Sequence, residues 1–313
     1  MDRSPDFEQV VQKFFPHGRL LRAWPLEGGV SVEMTVLEIA EAPSGGQTNR
    51  WILRRTKGPR RESRSIEDEF RLLEIMHTVG LASPVPLALD WSGEIFAVPY
   101  MLMAYVEGQA DFVPAQPVDY AMQMAEELAR IHAVDGRRPD LSFLPGLDEE
   151  RAMQQPLAHV NGSLDEGRIR ETLAAATPFP RQNAPALLHG DYWPGNILWQ
   201  AGRLAAVIDW EDAELGDPLA DLAISRLDLL WIYGREAMQA FTRQYLAKTA
   251  IDPRSLPYWD LYAALRLVRL AGADLKGWAA FFEPYGRKDI TEQSIRIFYR
   301  SFVAEALEKL ESM

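Results

Sequence analysis

The sequence predicts an α+β fold in which a smaller, strand-rich part precedes a larger, mainly helical part. Up to residue 107, short strand-like apolar runs alternate with polar or glycine-rich turns, a pattern typical of an antiparallel sheet. After Gly108, apolar residues recur with helical spacing, and from Pro218 helical patterns dominate. We therefore expect two lobes, residues 1–107 and 108–313, with the hinge at Gly108.

Length, composition and charge narrow the classes of function. A chain of 313 residues is long enough for one large domain or for two lobes that share a cleft. Hydrophobic residues make up 47% and charged residues 25%, which is ordinary for a soluble globular protein. The formal net charge of −12 argues against a nucleic-acid partner, because phosphate backbones need a basic surface. An acidic surface favours a cationic small substrate, or it simply keeps the protein in solution.

The chain contains no cysteine, which excludes disulfides, thiolate nucleophiles and cysteine-rich zinc sites. Its first residues lack the apolar core of a signal peptide. The longest apolar stretch, Phe96 to Val106, is too short to span a bilayer and contains Pro99. We therefore expect a soluble cytoplasmic protein without a membrane partner, and no pattern in the sequence predicts its oligomeric state.

Residue periodicity predicts the individual elements. Before Gly108 we expect helices at Pro5–Phe15 and Ile66–Val79 and strands at Val32–Ile39, Arg50–Thr56, Pro86–Asp90 and Ile95–Tyr105. The connections include a hairpin loop at Ala42–Asn49 and a basic linker at Lys57–Arg64. After Gly108 we expect a helix at Val118–His132, and short strands around a loop within Leu187–Trp199 and Leu204–Ile208.

The most informative segment is Leu187–Trp199, which contains the spacing H-x-D-x-x-x-x-N. In kinases this spacing places the aspartate, here Asp191, at the acceptor hydroxyl and the asparagine, here Asn196, at a magnesium ion. A second acid, Asp209, ends the apolar run that follows, and a strand there would hold its carboxylate rigidly at the metal.

These residue types suit phosphoryl transfer. The transferred group carries charge on several oxygens, so the site needs Mg²⁺ and little covalent chemistry. Mg²⁺ prefers hard oxygen ligands, which Asn196 and Asp209 provide. Asp191 would accept the hydrogen bond and the proton of the acceptor hydroxyl. The alternative is a buried network of polar turn residues, because aspartate, glycine, proline and asparagine are also common in loops.

The same segment resembles the aminoglycoside phosphotransferase/choline kinase family. The resemblance is carried by His189–Asn196, by Ile208–Glu211 and by Gly216–Ala223, and it covers about residues 20–230. It implies a protein-kinase-like two-lobed fold, with a small antiparallel-sheet lobe that binds the nucleotide and a larger helical lobe for catalysis and substrate binding. It also implies an ATP- and Mg²⁺-dependent phosphotransferase that uses the catalytic carboxylate and the two metal ligands named above.

In the first lobe the resemblance implies a nucleotide loop at Gly28, Gly29, Val30 and Ser31. Glycines at this position let backbone amides approach the phosphates. A plain hairpin turn is the alternative.

A basic residue and an acid would complete the phosphate site. Arg54 stands where relatives usually carry a lysine that contacts the α- and β-phosphates, and strand alternation then puts Arg55 toward solvent. Glu69 resembles the helix glutamate that pairs with this basic residue, although Glu67 and Asp68 are adjacent acids. Arginine binds phosphate but is longer and planar, so GTP is an alternative to ATP. Exposed surface charge is the other interpretation of these residues.

Residues Met101–Gly108 resemble the linker between the two lobes. Met103 would stand beside the adenine pocket. The backbone of Ala104 and Val106 would offer the acceptor and the donor that adenine needs. The same run also fits a buried strand.

Four further polar residues are expected to have structural roles. His189 would orient the loop of Asp191 by hydrogen bonds, and His132 would lie near a helix C-terminus, where positive charge is stabilised. Asp217 and Asp221 resemble scaffold groups that brace the catalytic loop.

The acceptor is expected to be a small hydroxylated molecule bound against the helical lobe. Aromatic side chains there could bind a cation or a flat ring, or belong to the core: Trp231, Tyr233, Trp259, Tyr262, Trp278, Phe281, Phe282 and Tyr285. Arg266 and Arg269 could instead recognise an acid. The sequence does not choose between amino alcohols, aminoglycosides, macrolides, sugars and hydroxy acids. A pseudokinase that binds nucleotide without turnover is the alternative function, and Arg54 is the feature that favours it.

Overall fold

The computed structural model describes residues 5–26, 32–41, 48–56, 65–149, 164–176, 180–271 and 274–312. The chain divides into two compact units, one of residues 1–107 with 206–211 and one of residues 108–205 with 212–313. Three predicted segments lie outside the described residues, namely the nucleotide loop with Gly28, Gly29, Val30 and Ser31, most of the 42–49 hairpin loop, and the basic linker 57–64.

The first unit contains a five-stranded antiparallel sheet with the strand order β1-β2-β3-β5-β4. Its strands are β1 (Gly18–Pro25), β2 (Val32–Glu41), β3 (Thr48–Thr56), β4 (Pro86–Asp90) and β5 (Tyr100–Ala104). The central strand β3 pairs Arg54 with Met34 of β2 on one side and with Met101 of β5 on the other. This double pairing fixes the position of Arg54 in the interior of the sheet.

Two helices belong to this unit, α1 (Pro5–Phe14) and α2 (Ile66–Thr78). Helix α1 packs on β1 and adds Phe7, Val10 and Val11 to a core that includes Leu37 and Leu53 of the sheet. Helix α2 starts at Ser65, whose side chain accepts a hydrogen bond from the amide of Asp68 and so satisfies one of the amides that a helix start leaves open.

The second unit is mainly helical. Its helices are α3 (Pro117–His132), α4 (Glu166–Ala175), α5 (Leu219–Ile232), α6 (Arg235–Lys248), α7 (Leu256–Ala271), α8 (Leu275–Phe281) and α9 (Glu292–Glu311). Two small sheets pair β6 (Ala186–Leu188) with β9 (Glu214–Gly216) and β7 (Ile197–Gln200) with β8 (Arg203–Val207). The last two residues of β8 fall in the first unit.

Helix α5 is apolar and buried on nearly every face, so its few charged side chains need partners. Arg226 donates from Nε and Nη2 to the two carboxylate oxygens of Asp260 on α7, at 2.9 and 3.1 Å. Its Nη1 donates to Thr242 on α6. These bonds tie three helices together around the element that supports the predicted catalytic loop.

Most predicted elements lie within two residues of their observed bounds, but two points need correction. The strand β1 was not predicted, because Arg19 and Arg22 interrupt its apolar pattern. The strand expected at 95–105 begins at Tyr100, one residue after Pro99, which cannot donate a ladder hydrogen bond. The short strands around a loop that we expected within Leu187–Trp199 are confirmed, because the segment holds β6, a loop, a short 3₁₀ helix and β7. Among the described residues, no helix is long and apolar enough to cross a membrane.

Candidate active site

The segment that carries the predicted catalytic aspartate lies in the second unit. The buried strand β6 leads into His189, Gly190 and Asp191, and a 3₁₀ helix, Pro194–Asn196, leads out into β7. The backbone amide of Asn196 donates a hydrogen bond to the carbonyl of Trp193 at 3.0 Å, which closes this short helix. The loop is therefore held at both ends by regular structure.

The turn at Gly190 requires glycine. Its φ is 80°, in the left-handed region that favours glycine. A Cβ atom added to Gly190 would come within 2.2 Å of the carbonyl oxygen of Asp212. The close approach of two backbone segments thus sets the direction in which Asp191 leaves the strand.

A buried carboxylate on α5 holds this turn. Asp221 Oδ2 accepts the amide of His189 at 2.7 Å, and Oδ1 accepts the amide of Gly190 at 3.0 Å. His132 lies 3.2 Å from the same Oδ2 through Nε2 and 2.6 Å from the hydroxyl of Tyr245 through Nδ1. Burial acts to raise the pKa of Asp221, but the hydrogen bond and the charge of His132 bring it below its usual value. The carboxylate is therefore ionised and fully paired.

Two more contacts complete the support of the loop. The Nδ1 atom of His189 accepts the amide of Asp191 at 3.2 Å, so His189 orients this residue as predicted. Ser225, one turn after Asp221 on α5, donates its hydroxyl to the carbonyl of Tyr192 at 2.6 Å. Asp217 has a different partner from the predicted one, because its carboxylate binds Asn183 and the first amide of α5 instead of the catalytic loop.

The carboxylate of Asp191 accepts hydrogen bonds at both oxygens. Asn196 Nδ2 donates to Oδ2 at 3.0 Å and to the carbonyl of Asp191 at 2.9 Å. Arg266 Nη2 donates to Oδ1 at 2.7 Å. Burial acts to lower the pKa of Arg266, but the negative charge of Asp191 and the hydrogen bond between them raise it above its usual value. These two donors fix the orientation of the carboxylate plane.

The geometry of Asn196 fits the role of a Mg²⁺ ligand. Both bonds of its Nδ2 go to Asp191, and Oδ1 accepts no hydrogen bond from the described residues. An amide oxygen is a hard ligand of the kind that Mg²⁺ prefers. No three histidine, cysteine, aspartate or glutamate side chains of the described ranges cluster as a metal site.

Asp209 belongs to the first unit, where it follows β8 and is exposed. Its φ of 65° is left-handed, a conformation that aspartate tolerates better than most residues. Strained backbone of this kind clusters at functional sites. The convergence of Asp209 with Asp191 and Asn196 on one ion stays a prediction.

The first unit contains a buried ion pair at the predicted phosphate site. Arg54 Nε and Nη2 donate to the same oxygen of Glu69 at 2.9 and 2.6 Å, and both residues are less than 10% exposed. Glu211 Oε2 lies 3.9 Å from Arg54 Nη2. Arg55 instead pairs with Glu33 at 2.7 Å and lies over the ring of Phe96. Arg54 is therefore the inward-facing arginine, and Glu69 is its partner among the three adjacent acids.

The burial of α2 differs in one respect from the predicted pattern. Helical periodicity in the sequence puts Phe70, Leu73 and Met76 on one face and so predicts Phe70 as a core residue. In the structure Leu72, Leu73 and Met76 are buried with Glu69, whereas Phe70 is only half-buried. The buried face of α2 therefore includes Glu69 in place of Phe70.

The predicted adenine-binding residues lie at the end of β5 in the first unit. Met103 is buried, and Ala104 and Val106 are half-buried. The amide of Ala104 donates to the carbonyl of Val85 at 2.8 Å. The backbone carbonyl of Ala104 is the group that would accept the predicted hydrogen bond from adenine. Contacts of these three residues with a nucleotide stay a prediction.

An aromatic pocket of about 350 Å³ opens beside Asp191 in the second unit. Its walls come from α5, α7, α8 and the loop after Asp191. Aromatic side chains form much of the wall, namely Trp193, Trp231, Trp278, Phe281 and Phe282. Of the eight aromatic residues named from the sequence, Trp231, Trp278, Phe281 and Phe282 line this pocket, whereas Trp259 and Tyr262 are buried core residues.

Three charged residues line the aromatic pocket within the described part of the chain: Asp191, Arg266 and Asp228. Asp228 on α5 accepts a hydrogen bond from Trp231 Nε1 at 3.2 Å. Burial and the negative charge of Asp191 raise its pKa to about 7. Asp228 was not a predicted site residue. A signal existed, because it is one of three charged residues in a helix that is otherwise apolar on all faces.

A further carboxyl group with a raised pKa, that of Glu214, lies on the strand that pairs with β6. Glu214 on β9 pairs with Leu188 of β6 through the backbone. Burial, followed by the negative charges of Asp221 and Asp212, raises the pKa of Glu214 to about 8. Protonation of this carboxyl therefore favours the folded state.

Comparison with known proteins identifies the family. Residues 25–265 match the Phosphotransferase enzyme family, so the chain belongs to it and the resemblance noted from the motifs is confirmed. The chain is 26% identical over 240 residues to acyl-CoA dehydrogenase family member 10 of Mus musculus, which is 66% of this chain and 22% of that protein. It is 28% identical over 173 residues to viomycin phosphotransferase of Streptomyces vinaceus, which is 46% of this chain and 55% of that protein. The chain thus spans about a fifth to a half of these relatives.

Solved structures confirm the predicted fold class. Spectinomycin phosphotransferase in complex with ADP and spectinomycin aligns with a TM-score of 0.64 at 12% identity, over 98% of each chain. The GDP complex of an aminoglycoside 2'-phosphotransferase aligns with a TM-score of 0.61 at 18% identity, over 99% of this chain and 98% of that one. At these identities the likeness establishes the fold, which is α+β and protein-kinase-like.

The turn at Gly190 gives a testable prediction. Gly190→Ala combines a left-handed φ with a backbone clash, and Gly202→Ala is the matched control, because Gly202 has φ 75° but no atom within 4 Å of its added Cβ. We expect Gly202→Ala to lower the free energy of unfolding by about 1–2 kcal/mol, and Gly190→Ala to lower it by about 1–3 kcal/mol more. Urea unfolding measures both. Equal losses would show that the contact with Asp212 is unimportant.

Glu214 gives a prediction on pH dependence. The folded state keeps the proton of this carboxyl up to about pH 8, whereas the unfolded chain loses it near its usual pKa of 4.5. The folded state binds more protons in this window, so the stability contributed at this site falls as pH rises from 4.5 to 8. We expect Glu214→Gln to match the wild type in Tm at pH 5 and to exceed it at pH 8.5.

The control for this pH dependence is Glu236→Gln, at an exposed position on α6. Its difference in Tm from the wild type should be the same at both pH values. A constant offset for Glu214→Gln across this range would contradict the raised pKa.

Proposed function

We propose that the protein is an ATP-dependent phosphotransferase that moves the γ-phosphate to a hydroxyl of a small molecule, with Asp191 as the catalytic base. The observation that carries this proposal is the paired carboxylate of Asp191, which lies at a pocket large enough for a small molecule. Membership in the Phosphotransferase enzyme family supports the reaction class.

In the proposed reaction, Asp191 accepts the hydrogen bond of the acceptor hydroxyl and takes its proton as the oxygen attacks. Asn196 and Arg266 hold the carboxylate in one plane, so that little reorientation is needed when the acceptor binds.

The nucleotide is proposed to bind to the first unit and the acceptor to the second. Arg54, held by Glu69, would contact the α- and β-phosphates, and Gly28–Ser31 would bind phosphate oxygens through backbone amides. Met103, with the backbone of Ala104 and Val106, would receive the base. Spectinomycin phosphotransferase is solved with ADP and a 2'-phosphotransferase with GDP, which supports ATP and keeps GTP as the alternative.

Asn196 and Asp209 would hold Mg²⁺. When bound there, the ion would neutralise charge on the phosphates. The pseudokinase alternative is not favoured. Its one sequence feature was an arginine in place of lysine, and Arg54 makes the buried contact with the helix glutamate that such a basic residue is expected to make.

The role of Asp191 is tested by Asp191→Asn in an assay of ADP formation from ATP with a pooled set of small alcohols. We expect acceptor-dependent ADP formation to fall by about 10²- to 10⁴-fold, because the amide cannot take the proton. ATP affinity, measured by calorimetry, should stay the same.

Asp140→Asn is the matched control, since Asp140 also pairs with an arginine, Arg138, at 2.6 Å but lies on the surface. It should keep full activity. ATP binding without acceptor-dependent turnover in the wild type would favour the pseudokinase.

The role of Arg54 is tested by Arg54→Met, with Arg55→Met as the control on the neighbouring residue. We expect Arg54→Met to lower the stability by about 3 kcal/mol, because it leaves Glu69 buried without its cation, and to weaken ATP binding. Arg55→Met breaks a more exposed pair with Glu33 and should cost about 0–1 kcal/mol. Unchanged ATP affinity in folded Arg54→Met would exclude Arg54 as a phosphate contact.

A further inference from the structure

The aromatic pocket beside Asp191 indicates the chemical class of the acceptor. We propose that the acceptor is an alcohol whose body is an apolar ring or hydrocarbon chain, and that polycationic aminoglycosides are excluded. This inference rests on the proposed phosphotransferase function and adds a substrate class to it.

The wall of the pocket favours apolar bodies. Trp231 and Trp278 lie with their ring centroids 6.4 Å apart, and Phe282 packs edge-on to Trp231 at 5.1 Å. Trp193 stacks on Phe112 at 5.9 Å, which fixes its ring. Rings held by one another present a fixed apolar surface, and burial of a hydrocarbon against it is favourable at about 25 cal/mol per Å².

The rim of the pocket is apolar as well. Leu270 is 56% exposed and Phe281 is 47% exposed, and both line the pocket. Exposed large apolar residues that adjoin a cavity are typical of ligand-binding grooves. An apolar ligand that extends out of the cavity would still contact the hydrocarbon of Leu270 and Phe281.

The charges of the pocket almost cancel. Arg266 is paired with Asp191 at 2.7 Å, which leaves Asp228 as the remaining acid within the described part of the lining. Together the three side chains supply at most one net negative charge. A ligand with several ammonium groups would bury most of them against aromatic carbon without a counterion. The loss of hydration costs several kcal/mol for each charge, and a cation–π contact returns only about 0.5–2 kcal/mol of it. A single hydroxyl at Asp191 has no such penalty.

The test measures acceptor specificity through ADP formation from ATP. The acceptors are straight-chain alcohols from 1-propanol to 1-heptanol, 3-phenyl-1-propanol, and kanamycin as the polycationic probe. We expect kcat/KM to rise about threefold to fourfold with each added methylene, the transfer value for one methylene, and kanamycin to give no acceptor-dependent ADP. Turnover of kanamycin above that of the alcohols, or no dependence on chain length, would overturn the substrate class while the phosphotransferase function stands.

A matched pair of variants localises the effect. Leu270→Glu places a charge at the rim, and Ile297→Glu places one at a similarly exposed position on α9, 59% exposed, outside the pocket. We expect Leu270→Glu to lower kcat/KM for 1-heptanol at least about fivefold, and Ile297→Glu to leave it unchanged. Equal effects of the two variants would contradict binding at this rim.

A binding measurement separates the two proposals if no acceptor gives ADP. That result would argue against the proposed phosphotransferase function. Saturation-transfer NMR of 1-heptanol with the wild type and the two variants would then test whether the aromatic pocket binds an apolar ligand. Transfer that is lost in Leu270→Glu and kept in Ile297→Glu supports binding of an apolar ligand in this pocket. No transfer in the wild type would overturn that proposal.

Discussion

The loop that carries Asp191 depends on one buried carboxylate, Asp221. An ionised carboxylate inside a protein is costly unless its oxygens are paired, and here two consecutive loop amides and His132 supply the partners. The position of Asp221 in the first turn of α5 adds the favourable field of a helix N-terminus. The same bonds that stabilise the charge therefore fix the turn at Gly190, and through it the direction of Asp191.

The loop and the pocket are linked through Asp191 itself. One carboxylate oxygen binds Asn196 within the loop, and the other binds Arg266 on α7, which also lines the aromatic pocket. A change in the packing of α7 would therefore alter both the aromatic pocket and the orientation of the carboxylate. The buried Arg226–Asp260 pair, which joins α5 to α7, limits such changes. The helices thus position the proposed catalytic carboxylate and shape the aromatic pocket at the same time.

The parts that could be predicted from the sequence are those fixed by local spacing. The motif from His189 to Asn196, the role of His189 and most element bounds follow from residue order alone. Arg266 and four aromatic residues of the pocket wall were named from the sequence as candidate acceptor contacts. Their position beside Asp191 and the presence of Asp228 could not be predicted, since Asp228 and Arg266 lie 37 and 75 residues from Asp191 and meet it through helix packing. Periodicity also misplaced Phe70 as core, because the buried face of α2 turns to include a glutamate that an arginine neutralises.

The net charge of the chain and the charge of the pocket lead to opposite expectations for the substrate. A total of −12 favours a cation when the charge is treated as uniform. Exposed charges are screened over about 8 Å at physiological salt, whereas charges in a cavity interact strongly with their immediate neighbours. Around Asp191 those neighbours are one arginine, one carboxyl with a pKa of about 7 and a wall of aromatic rings. The local set decides which ligand is stable there, so the acidic surface is better explained by solubility than by the substrate.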